Sequence, residues 1–128
     1  MTPSEYQNPI LCADYSDPDI VRVGDDFFMV SSSFNHVPAL PILHSTDLVN
    51  WTIINHVMDE LPLPGYDRYQ PGKGVWAPSI RWHDGKLWVC FSTPDEGIFI
   101  CHTEDPWGEW SAPHCLREAR GWIDPCPF

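Results

Sequence analysis

Asp14-Tyr15-Ser16-Asp17-Pro18-Asp19-Ile20-Val21-Arg22-Val23-Gly24-Asp25-Asp26-Phe27-Phe28-Met29-Val30-Ser31-Ser32-Ser33-Phe34 is the stretch around which the chain is organised. It reads as two short strands, Ile20 to Val23 and Phe27 to Ser32. A tight turn at Gly24-Asp25-Asp26 joins them, because Gly tolerates positive φ and Asp can bond its own backbone. Three carboxylates, Asp14, Asp17 and Asp19, stand before the first strand. Pro18 fixes φ after Asp17 and biases Asp17 towards an extended conformation, which predicts a side chain held in a defined direction at the mouth of a strand. Two readings of Asp17 are open on these residues: an Asx-turn that opens the strand, or an acid placed for chemistry.

The same layout recurs. Arg22 to Ser33 lies over Arg81 to Ser92 at an offset of 59, each copy being strand, acidic turn, strand. Ile42-Leu43-His44-Ser45-Thr46-Asp47 then corresponds to Ile100-Cys101-His102-Thr103-Glu104-Asp105, followed by Trp51 in the first copy and Trp110 in the second. Each copy therefore holds four strands. In the first they are Ile20 to Val23, Phe27 to Ser32, Ile42 to Ser45 and Trp51 to His56. In the second they are Ile80 to Trp82, Lys86 to Phe91, Gly97 to His102 and Trp110 to Ala112. Four-stranded antiparallel units repeating at this interval are the signature of propeller blades, with the outer-strand Trp packing neighbouring blades together. A β-sandwich is the competing arrangement of eight short strands. The constant offset favours an all-β propeller, with blade one at about 14–57, blade two at about 76–115 and the start of a third at 121–128.

Immediately before the first strand of each copy stands a matched tripeptide, Asp17-Pro18-Asp19 and Ala77-Pro78-Ser79, and a third follows at Asp124-Pro125-Cys126. The first strand of every blade lines the propeller axis, so matched positions converge at one end of the channel. Asp17 and Asp124 are then predicted to face one pocket, with Ala77 leaving room between them. That convergence favours the functional reading of Asp17.

Fourteen Pro and seven Trp in 128 residues make long helices unfavourable, and almost no helix is expected. A net charge of −11 repels nucleic acid and anionic lipid, so neither is an expected partner. The five Cys, at 12, 90, 101, 115 and 126, contain no CxxC pair, and the six His are scattered, so no metal or other cofactor is expected. No apolar run approaches the roughly 18 residues of a membrane span. The start, Met1 to Asn8, lacks the basic and then apolar layout of a signal peptide, which together with the unpaired thiols points to the cytoplasm.

Two carboxylates in a pocket rimmed by aromatics suit glycoside hydrolysis, in which one acid protonates the leaving oxygen and another carboxylate activates water or attacks the sugar. A neutral oligosaccharide also suits an acidic protein. Phe34 and Trp76 are the aromatics nearest the pocket, where sugar C–H faces can stack; plain core packing is the alternative for both. His36, Asp67 and Arg68 read as solvated loop residues, His44 and His102 as blade structure, and Asp25, Asp26, Asp84 and Gly85 as turn chemistry.

The ordered set Asn8-Pro9-Ile10-Leu11, Asp17-Pro18-Asp19-Ile20, Arg22-Val23-Gly24-Asp25-Asp26, Ser31-Ser32-Ser33-Phe34, Pro41-Ile42-Leu43-His44-Ser45, Asp47-Leu48-Val49-Asn50-Trp51, Gly74-Val75-Trp76-Ala77-Pro78 and Gly121-Trp122-Ile123-Asp124-Pro125 resembles glycoside hydrolase family 43. The resemblance implies a five-bladed propeller acting as a β-xylosidase or α-L-arabinofuranosidase by inversion. Asp17 then matches the general base, and Asp124 matches the aspartate that tunes the acid and orients the sugar. Phe34 and Trp76 match aromatics flanking the subsite of the released sugar. The family's general acid is a glutamate on a later blade, and none of Glu5, Glu60, Glu96, Glu104, Glu109 or Glu118 stands at an innermost-strand start. On this reading the isolated chain is inactive, and its open blade edges invite self-association. A non-catalytic sugar-binding propeller and a retaining fructan or sucrose hydrolase are the alternatives; the latter's Asn-Asp-Pro-Asn-Gly motif departs from Ser16-Asp17-Pro18-Asp19-Ile20 on both sides.

Overall fold

Eight strands and no helix form among residues 5–128, which are those the computed structural model describes. The leader reading of Met1 to Ser4 lies outside the described residues. The first four strands are β1 (Asp19–Val23), β2 (Asp26–Val30), β3 (Ala39–Ser45) and β4 (Thr52–Met58). The second four are β5 (Trp76–His83), β6 (Lys86–Thr93), β7 (Gly97–Thr103) and β8 (His114–Glu118). They pair in chain order as two four-stranded antiparallel sheets, the meander that a blade requires.

The repeat is real, but its register differs by one residue from the sequence alignment. Val23 pairs with Asp26 and His83 with Lys86, so the two hairpins correspond at a shift of 60 residues, not 59. The distinction matters because side chains alternate faces along a strand, and a slip of one exchanges the two faces. At the observed register Ser32 matches Ser92, and Arg81 is not the counterpart of Arg22. Gly24 takes φ +64° in the first turn, and in the second both Asp84 (+49°) and Gly85 (+74°) are left-handed, the pattern of a type I′ hairpin. Asp26, expected in the turn, instead opens β2 and lies 2.6 Å from His44 Nε2. The second Ser/Thr-x-Asp element matches in detail: Ser45 Oγ accepts the amide of Asp47 and Thr103 Oγ1 that of Asp105.

The outer strands depart furthest from expectation. Trp110 to Ala112 is not a strand; β8 begins only after Pro113, which has no amide to donate to a ladder. Ser111 Oγ accepts the amide of His102 in place of a backbone partner. Trp51 precedes β4 and donates its indole N–H to Leu48 within its own turn. The tryptophan that joins the sheets edge to face is Trp107, whose ring centroid lies 5.7 Å from Phe28 and 5.3 Å from His44. Asn55 on β4 donates to the carbonyls of Pro106 and Gly108 in the same turn, so a side chain from one sheet caps the loop of the other.

The core runs between the sheets. Phe28, Val30, Leu40 and Ile42 from the first meet Val75, Ile80, Leu87, Val89 and Phe91 from the second, and Trp110 packs against this cluster. Burying a side chain such as Phe91, at 0% exposure, contributes about 2–3 kcal/mol. Cys90 and Cys101 are also buried, which pushes their thiols up to about 11 and about 12 and leaves them protonated and inert.

Ser92 Oγ is an exception within this core. It is fully buried and finds no hydrogen-bond partner among the described residues. Ser92→Ala is therefore expected to raise stability by about 1 kcal/mol, because an unpaired hydroxyl is destabilising in an apolar surround. Denaturant unfolding measures the change, and a loss of stability would contradict it.

Candidate active site

The three Pro-containing tripeptides share an unusual backbone. Asp17, Ala77 and Asp124 have φ of +50°, +20° and +55°, so each non-glycine residue before a proline is left-handed. The extended conformation expected for Asp17 is thus not the one adopted. Such a backbone costs of the order of 1–3 kcal/mol per residue and persists only where neighbours over-determine it. At Asp17 two hydrogen bonds from Ser32 do so. The amide of Ser32 donates to the carbonyl of Ser16 at 3.0 Å, and Ser32 Oγ donates to Asp17 Oδ2 at 2.8 Å. Both tethers pull the chain before β1 against the end of β2.

Successive tripeptides are also strapped to one another. Asp19 Oδ2 accepts from the amide of Ile80 at 2.9 Å and from Arg81 Nη1 at 2.6 Å, so the third carboxylate of the opening stretch joins β1 to β5. One step on, Ser79 Oγ donates to the carbonyl of Pro125 at 2.7 Å, and Arg81 Nη2 lies 2.8 Å from Cys126 Sγ. Asp17, Ala77 and Asp124 thus each precede a proline in three segments that are tied one to the next, although residues 121–128 form no strand. Both aspartates are exposed, and the residue between them carries only a methyl group.

Phe34 and Trp76, close in the chain to Ser32 and Ala77, meet each other. An isolated bridge pairs Ser33 with Val75, with N–O distances of 3.0 and 3.2 Å, and the amide of Gly74 donates to the carbonyl of Phe34 at 2.8 Å. The bridge sets the two half-buried rings edge to face, with centroids 6.2 Å apart. Trp76 opens β5 rather than preceding it, and its indole N–H donates to Gly72 at 2.9 Å. Gly74 is obligatory here, since a Cβ at this position would lie 2.4 Å from Ser33 O and 2.6 Å from Phe34 O.

A cleft of about 300 Å³ opens beyond Phe34, lined among others by His36, Tyr66, Asp67, Arg68 and Tyr69. His36, Asp67 and Arg68 are exposed, as expected of solvated loop residues, and they form the rim of this cleft. The loop that carries Asp67 is pinned to the β6–β7 turn. Lys73 Nζ lies 2.6 Å from Asp95 Oδ2 and holds that carboxyl below its usual range. The Tyr66 hydroxyl lies 3.0 Å from Glu96 Oε2, and burial together with this carboxylate pushes the phenol well up. Among the described residues no group of three or more His, Cys, Asp or Glu side chains is arranged to hold a metal ion.

The glutamates sit elsewhere. Glu96 bonds Tyr66, Glu104 pairs with Lys86 at 3.4 Å, and Glu118 lies on β8. Sequence reasoning missed Ser32, Asp19 and Arg81 as organisers of the site. The Ser32–Ser92 match was available only at the shift of 60 residues, and a one-residue misalignment concealed it.

The model of the family described as Glycosyl hydrolases family 43 matches residues 6–128. A xylosidase/arabinosidase of Butyrivibrio fibrisolvens is 42% identical over 127 residues, covering 94% of this chain and 24% of that protein. A non-reducing end α-L-arabinofuranosidase of Bacteroides ovatus is 38% identical over 115 residues, covering 84% of this chain and 21% of that one. The crystal structure of a GH43 protein of Bacillus licheniformis superimposes with a TM-score of 0.83 at 32% identity, covering 94% of this chain and 26% of that chain. The chain spans about a quarter of the length of the curated relatives it matches. Its two sheets are blades of a β-propeller. By the family match over nearly its whole length, the chain belongs to glycosyl hydrolase family 43.

Proposed function

We propose that this chain supplies the general base and part of the sugar pocket of an inverting glycoside hydrolase acting on xylan- or arabinan-derived oligosaccharides. The observation that carries this reading is the hydrogen-bonded run from Asp17 through Ser32 to the amide of Ala77, whose last two members lie next in the chain to the segments bearing Phe34 and Trp76. In the reaction the Asp17 carboxylate takes a proton from water as the water oxygen attacks the anomeric carbon. The glycosidic bond breaks towards the leaving oxygen, which takes a proton from a carboxylic acid on the opposite face. Asp124 orients the sugar and places negative charge near that acid, favouring its protonated form. Phe34 and Trp76 flank the ring through their apolar faces. The relatives' names, a xylosidase/arabinosidase and an α-L-arabinofuranosidase, support pentosides as the substrate class.

On this reading the proton donor is none of this chain's glutamates, none of which stands at the start of the first strand of a sheet. The 128-residue chain alone is accordingly expected to release no nitrophenol from nitrophenyl β-xyloside or α-L-arabinofuranoside. Turnover by the purified chain, absorbance being the readout, would refute the assignment. In an enzyme where this segment is continuous with the remaining blades, NMR of the first-formed sugar is expected to reveal inverted anomeric configuration. Retention would exclude a water-activating role for Asp17.

A further inference from the structure

We propose that Ser32 is the positioning residue that presents Asp17 to the nucleophilic water, a role that rests on reading Asp17 as the base. Ser32 is 4% exposed at the end of the first hairpin, and its Oγ has two neighbours at hydrogen-bond distance. The amide of Ala77 lies 2.8 Å away and Asp17 Oδ2 also 2.8 Å away. An amide can only donate, so it occupies a lone pair of the hydroxyl oxygen and leaves the hydroxyl proton to Asp17. One blade therefore dictates the orientation of a carboxylate carried by the other. Among the described residues Asp17 Oδ1 receives no protein hydrogen bond, so it is the oxygen left to accept the proton of water.

The second blade provides an internal control. Ser92 stands at the matched position, also buried, within β6 where Ser32 lies just beyond the end of β2. The residue matched to Asp17 there is Ala77, and Ser92 Oγ is left without a partner among the described residues. The serine scaffold is thus present twice, but only the copy facing a carboxylate has its hydroxyl engaged. A purely structural requirement for this hydroxyl would apply in both blades.

The test compares variants of the enzyme in which this segment is continuous with its remaining blades, with nitrophenyl β-xyloside as substrate and thermal unfolding measured alongside. Ser32→Ala is expected to lower kcat by about tenfold or more with KM changed by less than about twofold, since the bond matters when water is deprotonated, not when sugar binds. Ser32→Thr keeps the hydroxyl while adding a methyl group to a tight site, and is expected to recover kcat to within about threefold of the parent. Ser92→Ala is expected to leave kcat unchanged. Should Ser32→Ala fail to fold, Ser32→Cys, similar in size but a weak donor, takes its place. A Ser32→Ala enzyme with parental kcat, or a Ser32→Thr enzyme as impaired as the alanine variant, would overturn the proposal. An Asp17→Ala enzyme that keeps its activity would instead remove the reading beneath it, whereas an inactive Asp17→Ala beside an unimpaired Ser32→Ala would refute the role of Ser32 alone.

Discussion

Asp17→Ala, in an enzyme where this segment is joined to its other blades, is expected to lower kcat/KM about a thousandfold, or about 4 kcal/mol of transition-state stabilisation. The side chain is exposed and its one bond among the described residues is the 2.8 Å contact from Ser32 Oγ, so its removal costs the fold that tether but no buried packing. What disappears is the acceptor for the proton of the attacking water. Sodium azide, a small anion that needs no deprotonation, is expected to restore part of the rate and to yield a glycosyl azide. Restoration by azide separates the loss of a base from a collapse of the pocket, because a collapsed pocket admits no anion in a useful position. A loss of less than about tenfold would leave the base unassigned.

Gly74→Ala is expected to be the most damaging single methyl group in the chain's site-forming loops, destabilising it by about 3 kcal/mol or more and lowering the thermal midpoint by roughly 10 °C or more. The added Cβ would sit 2.4 Å from Ser33 O and 2.6 Å from Phe34 O, both backbone atoms that cannot turn aside. Relief requires the two segments to part by about 1 Å, which breaks the Ser33–Val75 bridge and the bond from Gly74 N to Phe34 O. The same movement pulls Phe34 from Trp76 and the amide of Ala77 from Ser32. Gly72→Ala is the control. Gly72 is left-handed at φ +69° with open space around it, so alanine there incurs only about 1 kcal/mol of backbone strain. Equal unfolding midpoints for the two variants would show that close approach at Gly74 is not limiting.

Much of the architecture was legible because it is local. Alternating strands, the acidic turns and the Ser/Thr-x-Asp elements each depend on a few neighbouring residues, and their recurrence exposed the two blades. The tripeptides at Asp17, Ala77 and Asp124 stood out for the same reason. The error at β8 has a local cause too: a tryptophan at the expected place in the repeat suggested a strand, while Pro113 delayed the ladder. Trp107 could not be distinguished from Trp110 without knowing which turn faces Phe28 across the sheets.

The order of residues alone determined that this chain is all-β, that its four-stranded motif is written twice, and that the Pro-containing tripeptides at Asp17 and Ala77 stand at the start of each copy. Only the tertiary structure decided the register between copies, the left-handed backbone at Asp17, Ala77 and Asp124, and the ties from Asp19 to Ile80 and from Ser32 to Asp17 and Ala77. The physical reason is one of distance along the chain. Turns and strand patterns are governed by steric and hydrogen-bonding preferences within a few residues, whereas a carboxylate is held in a strained orientation only when groups from other segments reach it through space.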